Sequence, residues 1–307
     1  MTDQSLDLLR SRLQEKDRRI VELLNERADL SVAIGEYKQA ENIDVYDPSR
    51  EGRIYDYVES INRGPLSREA LREIYREILS ASRNLQKPLS VAYLGPEASF
   101  THLATRRHFG SSTESCPQRT VFDVFEEVER GRAVCGVVPV DNSLEGSVKM
   151  TLDRLISTNL KIVGEIFLPV THCLLSTALR IEEIERVYSH PQALAQCQQW
   201  IRENLPGRDI QEAQSTAQAA GRVKEEQHAA AVAAGEAASV YGLNVLASAI
   251  EDHRSNVTRF LVIGTMKTAV SGRDRTSLVF ASRHEPGSLL RSLEPFAAAG
   301  INLTRIV

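Results

Sequence analysis

Apolar residues recur at helical spacing at Leu6, Leu9, Leu13, Ile20, Leu23, Leu24, Leu30 and Ile34, and from Leu6 to about Ala40 there is no proline and a single glycine, Gly35. This period predicts one long helix. At 1.5 Å per residue it runs about 50 Å, more than a small domain covers alone, which points to a helical bundle or an intertwined oligomer. Asp47 before Pro48 predicts an N-cap and a first-turn proline, opening a second helix that reaches about Asn62 before Gly64-Pro65 breaks it. Ser67 caps a third, ending near Gln86. Beyond the link QKPLS the pattern changes. Strands read at VAYLG (91–95), AVCGVVPV (133–140), FLPVTHCLLS (167–176), RVYSH (186–190), DIQEA (209–213) and RFLVIG (259–264). They alternate with helices after Ser99, over 121–130, over 192–204 and after Ser215, and an alanine-rich stretch lies around 229–240. Alternation of this kind predicts α/β architecture in two sets, with the last strand able to return to the first. From 271 onward TSLVFASR reads as a strand, PGSLLRSLEPFAAAG as a helix and INLTRIV as a strand.

Length and composition narrow the class. A chain of 307 residues suggests about two to three domains. With 42% hydrophobic and 25% charged residues it reads as an ordinary soluble protein, and no apolar stretch nears the roughly 18 residues of a membrane span. The N-terminus is charged throughout and lacks a signal-peptide core, so a cytoplasmic location is expected. A net charge of −4 argues against a nucleic-acid surface, and neither a Walker motif nor GxGxxG offers a nucleotide site. Cys116, Cys135, Cys173 and Cys197 form no CxxC pair and have no matching histidine spacing, so buried thiols are expected and no metal or disulfide framework.

The charges of the long helix carry more information. Arg27 and Lys38 fall on one face about 16 Å apart and could bracket a small anion, whereas Arg10 lies about 25 Å from Arg27 and roughly 100° off that face. If Arg10 serves the same site, it must come from another subunit. Ser82 and Gln86 share one face of the third helix. With these residues in view, positions 1–87 resemble the all-helical chorismate mutase domain, whose pattern matches at Arg10, Arg27, Lys38, Asp47, Arg50, Glu51, Ser82 and Gln86. The resemblance implies a homodimer with Arg10 shared across subunits. It also implies a cofactor-free Claisen rearrangement driven by conformational restraint and charge stabilisation. Arg27 and the partner's arginine would clamp carboxylates, Lys38 and Gln86 would donate to the ether oxygen, and Asp47, Glu51 and Ser82 would position polar groups. Asp47 could equally be only an N-cap, and Arg50 could be an ordinary first-turn residue.

In the α/β region, three loops gather small polar groups at strand ends. Asp141-Asn142-Ser143 precedes Gly146-Ser147, Ser215-Thr216 opens a helix, and Pro191 marks another start in YSHPQALAQC. These loops, with AYLGPEASFTH (92–102) and NVTRF (256–260), resemble prephenate dehydratase over residues 88–266, with Ala98 and Asp141 standing where glycine and glutamate are expected. The order of elements resembles the type II periplasmic-binding-protein fold, with ligand between two lobes. The family makes the threonine of TRF essential, so Thr258 is expected to donate a hydrogen bond to the departing hydroxyl. Asn142, Ser143, Gln192, Ser215 and Thr216 would bind ligand oxygens. Arg259 could pair with a carboxylate or anchor its strand, and Glu97, Glu145, His102 and His190 are further acids in these loops.

Residues 271–307 resemble the first βαβ half of an ACT domain, with Gly287-Ser288-Leu289 in place of Gly-Ala-Leu. An incomplete match makes phenylalanine a doubtful effector. Together the resemblances imply a multidomain, bifunctional enzyme of phenylalanine biosynthesis acting on chorismate and then prephenate, without cofactor or metal. The rival is a chorismate mutase fused to a non-catalytic module that binds an aromatic metabolite, and Thr258 favours catalysis.

Overall fold

The computed structural model describes residues 2–253, 255–272 and 274–306. Arg254, Arg273 and Val307, the last residue of the expected terminal strand, lie outside them. The chain forms two compact units, Met1–Ala269 and Val270–Val307.

The first unit opens with three helices, α1 (Thr2–Ala40), α2 (Pro48–Ile61) and α3 (Arg68–Gln86). The Asp47 side chain accepts from the Arg50 amide and Ser67 from that of Ala70, so both expected caps are formed. At Gly35 α1 and α3 approach closely: a Cβ there would lie 2.9 Å from the Gln86 side chain. Every residue from 6 to 26 is exposed, although the run includes Leu9, Leu13, Ile20 and Leu23.

The α/β part follows as β1 (Ser90–Leu94), α4 (Phe100–Phe109), β2 (Glu114–Gln118), α5 (Val121–Glu129), β3 (Cys135–Asn142), β4 (Gly146–Ser147), α6 (Lys149–Ser157) and β5 (Lys161–Pro169). The chain then enters a second lobe with β6 (Cys173–Ser176), β7 (Arg186–Ser189), α7 (Pro191–Gln196), α8 (Gln198–Asn204), β8 (Asp209–Glu212), α9 (Thr216–Val223), β9 (Ala229–Ala233), α10 (Ala237–Tyr241) and β10 (Asn244–Ser248). It returns as β11 (Val257–Gly264). The first sheet has the order β2-β1-β3-β11-β5 with β4 beside β3, and the second β10-β6-β9-β7-β8. The returning strand thus lies inside the first sheet, antiparallel to both β3 and β5. Where the chain crosses between lobes, the Val170 amide donates to the Asn256 carbonyl at 2.9 Å, so the two crossings are bonded to each other. Among the described residues no helix is long and apolar enough to cross a membrane.

Three expectations need correction. FLPVTHCLLS is not one strand: residues 167–169 end β5 in the first sheet and 173–176 form β6 in the second. Pro169 has no N–H with which to prolong the ladder, and the break is the lobe crossing itself. The helix expected over 192–204 divides at Cys197 (φ −117°, ψ 16°), because the Asp252 carboxylate accepts from the Gln199 amide at 3.0 Å and the Trp200 amide at 3.3 Å and so starts α8 afresh. In the second unit α11 (Ser288–Ala298) forms, but among the described residues neither 276–283 nor 301–306 is a strand. A strand persists only where its backbone groups are paired, and these segments have no ladder partner among those residues. The cysteines are free; Cys135, Cys173 and Cys197 are buried, but Cys116 is only half-buried.

Candidate active sites

Helices α1, α2 and α3 bring together most of the cationic and polar residues singled out in the helical region. Arg27 Nη1 donates to Ser82 Oγ at 2.5 Å, and that hydroxyl donates back to the Ile78 carbonyl at 2.7 Å. Lys38 Nζ donates to the carbonyls of Asp44 (3.1 Å) and Val45 (2.9 Å), which fixes the loop leading to Asp47. Gln86 Oε1 is buried and has no hydrogen-bond partner among the described residues. A buried amide atom left unpaired costs about 1–3 kcal/mol, which a ligand group would relieve. The Glu51 carboxylate is paired with Arg83, a buried residue outside the sequence expectations, and burial nonetheless holds its pKa above the usual range. Arg50 contributes its amide to the Asp47 cap while its side chain is exposed. Arg10 is not brought to these residues; it lies on the exposed half of α1, paired with Asp7 at 3.4 Å.

The second cluster forms where β3 ends beside the start of β11. Thr258 is in register with Asn142, and Asn142 Nδ2 lies 2.8 Å from both Thr258 Oγ1 and Asn256 Oδ1. Asn142 Oδ1 accepts from the amides of Leu144 (2.9 Å) and Glu145 (3.2 Å), which fixes which end of the amide faces Thr258. Asn256 Nδ2 donates to Gln196 Oε1 at 3.0 Å, and Gln196 Nε2 donates to Glu145 at 2.8 Å. His172, buried and with its pKa lowered by that burial, shares the same Gln196 oxygen at 2.9 Å. Burial raises the Glu145 carboxyl. Ser143 is bound to the returning chain, donating to the Ser255 carbonyl (3.1 Å) and accepting from the Val257 amide (2.9 Å).

The other expected residues have more local partners. Arg259 forms an ion pair with Glu165 of β5. Ser215 caps α9 by accepting from the Gln218 amide at 3.0 Å, with Thr216 in its first turn. Gln192 lies in the first turn of α7, where His190 is the cap. His102 accepts from the Ala98 amide at 3.1 Å and stacks on Tyr93, and burial lowers its pKa. Ala98 has φ +62°, a left-handed conformation that explains why glycine is expected there. A cleft of about 1020 Å³ opens between Gly95, Gln118 and Arg119 on one lobe and Gln214, Gln218 and Arg222 on the other. It flanks Ser215 but does not include Thr258 or Asn142 in its lining.

Asn256, Gln196 and His172 were not expected from the sequence. Asn256 stands in NVTRF itself, and Gln196 is one turn beyond Gln192, so each had a positional signal; His172, in the lobe crossing, had none.

The prephenate dehydratase family model matches residues 91–268, more than half of the chain. The chain belongs to this family. The model for chorismate mutase type II matches residues 9–87, so a chorismate mutase region precedes the prephenate dehydratase region. A bifunctional chorismate mutase/prephenate dehydratase of Aquifex aeolicus is 46% identical over 307 residues, spanning 99% of this chain and 85% of its own length. Its counterpart in Pseudomonas aeruginosa is 41% identical over 313 residues, spanning 100% of this chain and 86% of its own. A solved prephenate dehydratase from Arthrobacter aurescens, in complex with L-Phe, has a TM-score of 0.64 and 33% identity over 71% of this chain and 75% of that one.

Proposed function

We infer that the chain is a bifunctional enzyme of phenylalanine biosynthesis that rearranges chorismate to prephenate in its helical part and converts prephenate to phenylpyruvate in its two-lobed part. The observation that carries the second activity is the Thr258 hydroxyl. Its oxygen accepts from Asn142 Nδ2 at 2.8 Å, which leaves the hydroxyl proton to point at a ligand. Loss of carbon dioxide sends an electron pair into the ring and expels hydroxide, so the reaction consumes one proton and releases water. Threonine is too weak an acid to be the net source, and acts here as a donor stabilising the departing oxygen. Glu145, joined to Thr258 through Gln196, Asn256 and Asn142, is the carboxyl of that network suited to supply the proton. Ser143, Gln192, Ser215 and Thr216 are read as ligand-binding groups around it.

For the mutase, Arg27 and Lys38 hold the carboxylates and ether oxygen of a compact conformer, aided by Asp47, Glu51 and Ser82. Turned over, the Gln86 amide would present Nε2 from its unpaired buried position. Arg10 reaches such a site only from a second copy, and the exposed apolar run of residues 6–26 is a surface that a homodimer would cover. On the same reading residues 271–307 are ACT-like. The test is to supply purified protein with chorismate and separately with prephenate, following phenylpyruvate by absorbance. Conversion of both is expected; conversion of chorismate alone would favour the binding-module alternative.

A further inference from the structure

Helix α3 has two working faces. Ser82 and Gln86 look toward α1 and the mutase site, while Arg76, Glu77, Ser80 and Arg83, one helical stripe, meet the end of α4 in the dehydratase region. Ser111 donates its amide to Glu77 Oε2 at 3.0 Å, and the Ser112 amide donates to Ser80 Oγ at 3.1 Å. Arg83 is buried with only 5% of its surface exposed. One guanidinium nitrogen donates to Glu51 Oε1 and the other terminal nitrogen to the Phe109 carbonyl at the end of α4. Tyr46 seals the junction: it is 3% exposed, packs in the core of the first lobe, lies under the Arg83 guanidinium and bonds to His108 at 3.2 Å.

We propose that Arg83 is a positioning residue of the mutase reaction, holding Glu51 aimed into the mutase site while itself braced by the Phe109 carbonyl of the dehydratase lobe. The proposal rests on the reading of Glu51 as a mutase-site residue. A planar guanidinium with two donors in fixed geometry suits this double contact, whereas a solvated charge would not be buried. Glu51 faces the cations Arg83 and Lys38, and also Asp47, Tyr46, Tyr55 and Cys135. Burial and Asp47 favour its neutral form, and Arg83 is the principal group opposing them. Ionised Glu51 is the stronger, charge-assisted acceptor for a ligand hydroxyl, so mutase activity falls as the pH drops through its pKa. Removing Arg83 raises that pKa and moves the acidic limb to higher pH.

The test uses the full chain. Arg83→Met keeps the apolar stem and removes both bonds. It is expected to lower mutase kcat/KM at neutral pH by about tenfold or more, the scale of one lost charge-assisted contact. Its acidic limb should shift upward while dehydratase activity in the same preparation is unchanged, and Arg83→Lys should recover part of the shift. In a Glu51→Gln background, which has no carboxyl to hold, Arg83→Met should cost little more. An unmoved mutase profile in an Arg83→Met chain that still dehydrates prephenate overturns the proposal, as does full additivity with Glu51→Gln. If Arg83→Met also loses dehydratase activity, the Glu51→Gln background decides through mutase turnover of Arg83→Lys: unchanged relative to Glu51→Gln supports the proposal, and reduced overturns it. A wild-type chain inactive on chorismate would instead remove the reading on which the proposal rests.

Discussion

Asn142 spends both ends of its amide on holding Thr258 and the turn after β3, so the hydroxyl direction is set before any ligand arrives. Thr258→Val is nearly isosteric and removes only that donor. It is expected to leave the fold and the mutase reaction intact and to lose about 2–3 kcal/mol of transition-state stabilisation in dehydration, roughly a hundredfold in kcat. A wild-type dehydration rate in this variant would pass the role to Glu97, Glu145 or His190. At this scale the sequence was informative where a residue's backbone position also marks its role. Thr258, Asn142 and Ser215 all stand at strand or helix ends. Arg83 was illegible because it sits between Ser82 and Gln86, off their stripe, and its meaning depends on Phe109, a contact 26 residues away.

The glycine that ends α4 shows how an element can be dictated by its neighbour. Gly110 has φ +79°, and a Cβ there would lie 2.5 Å from the Ser80 Cβ, so α3 docks only against a residue without a side chain. Gly110→Ala is expected to lower stability to urea unfolding by at least about 2 kcal/mol, from left-handed strain and the clash together. Shortening the neighbour with Ser80→Gly should restore part of it. Stability equal to wild type would mean that α3 does not dock as described. The helices of the first 87 residues were readable because their caps and periods are local. The breaks at Pro169 and Cys197 were not, since a lobe crossing and the distant Asp252 cause them. Strands β2, β4 and β10 are short or polar and lack the apolar run that marks a strand.

For the whole molecule, the exposed apolar run on α1 and the distance of Arg10 from the other mutase-site candidates both fit the proposed homodimer. A second copy would cover Leu9, Leu13, Ile20 and Leu23 and bring an arginine to the site that lacks it. Arg10→Ala and Arg27→Ala proteins should each lose mutase activity and keep dehydratase activity. Mixed under subunit exchange, they should regain some mutase activity, because one hybrid site contains both arginines. No recovery despite demonstrated exchange would refute the shared site.

The paired crossings between the lobes have a mechanical meaning. Asn256 bonds through its backbone to the outgoing crossing at Val170 and through its side chain to Asn142 on one lobe and Gln196 on the other. It therefore ties both lobes to the crossing and belongs to the Thr258 hydrogen-bond network at once. Any rotation that tightens the cleft on a ligand must also turn the amide that helps to hold Asn142, and with it Thr258. On the proposed function, gripping the substrate and setting the donor would be coupled by one side chain.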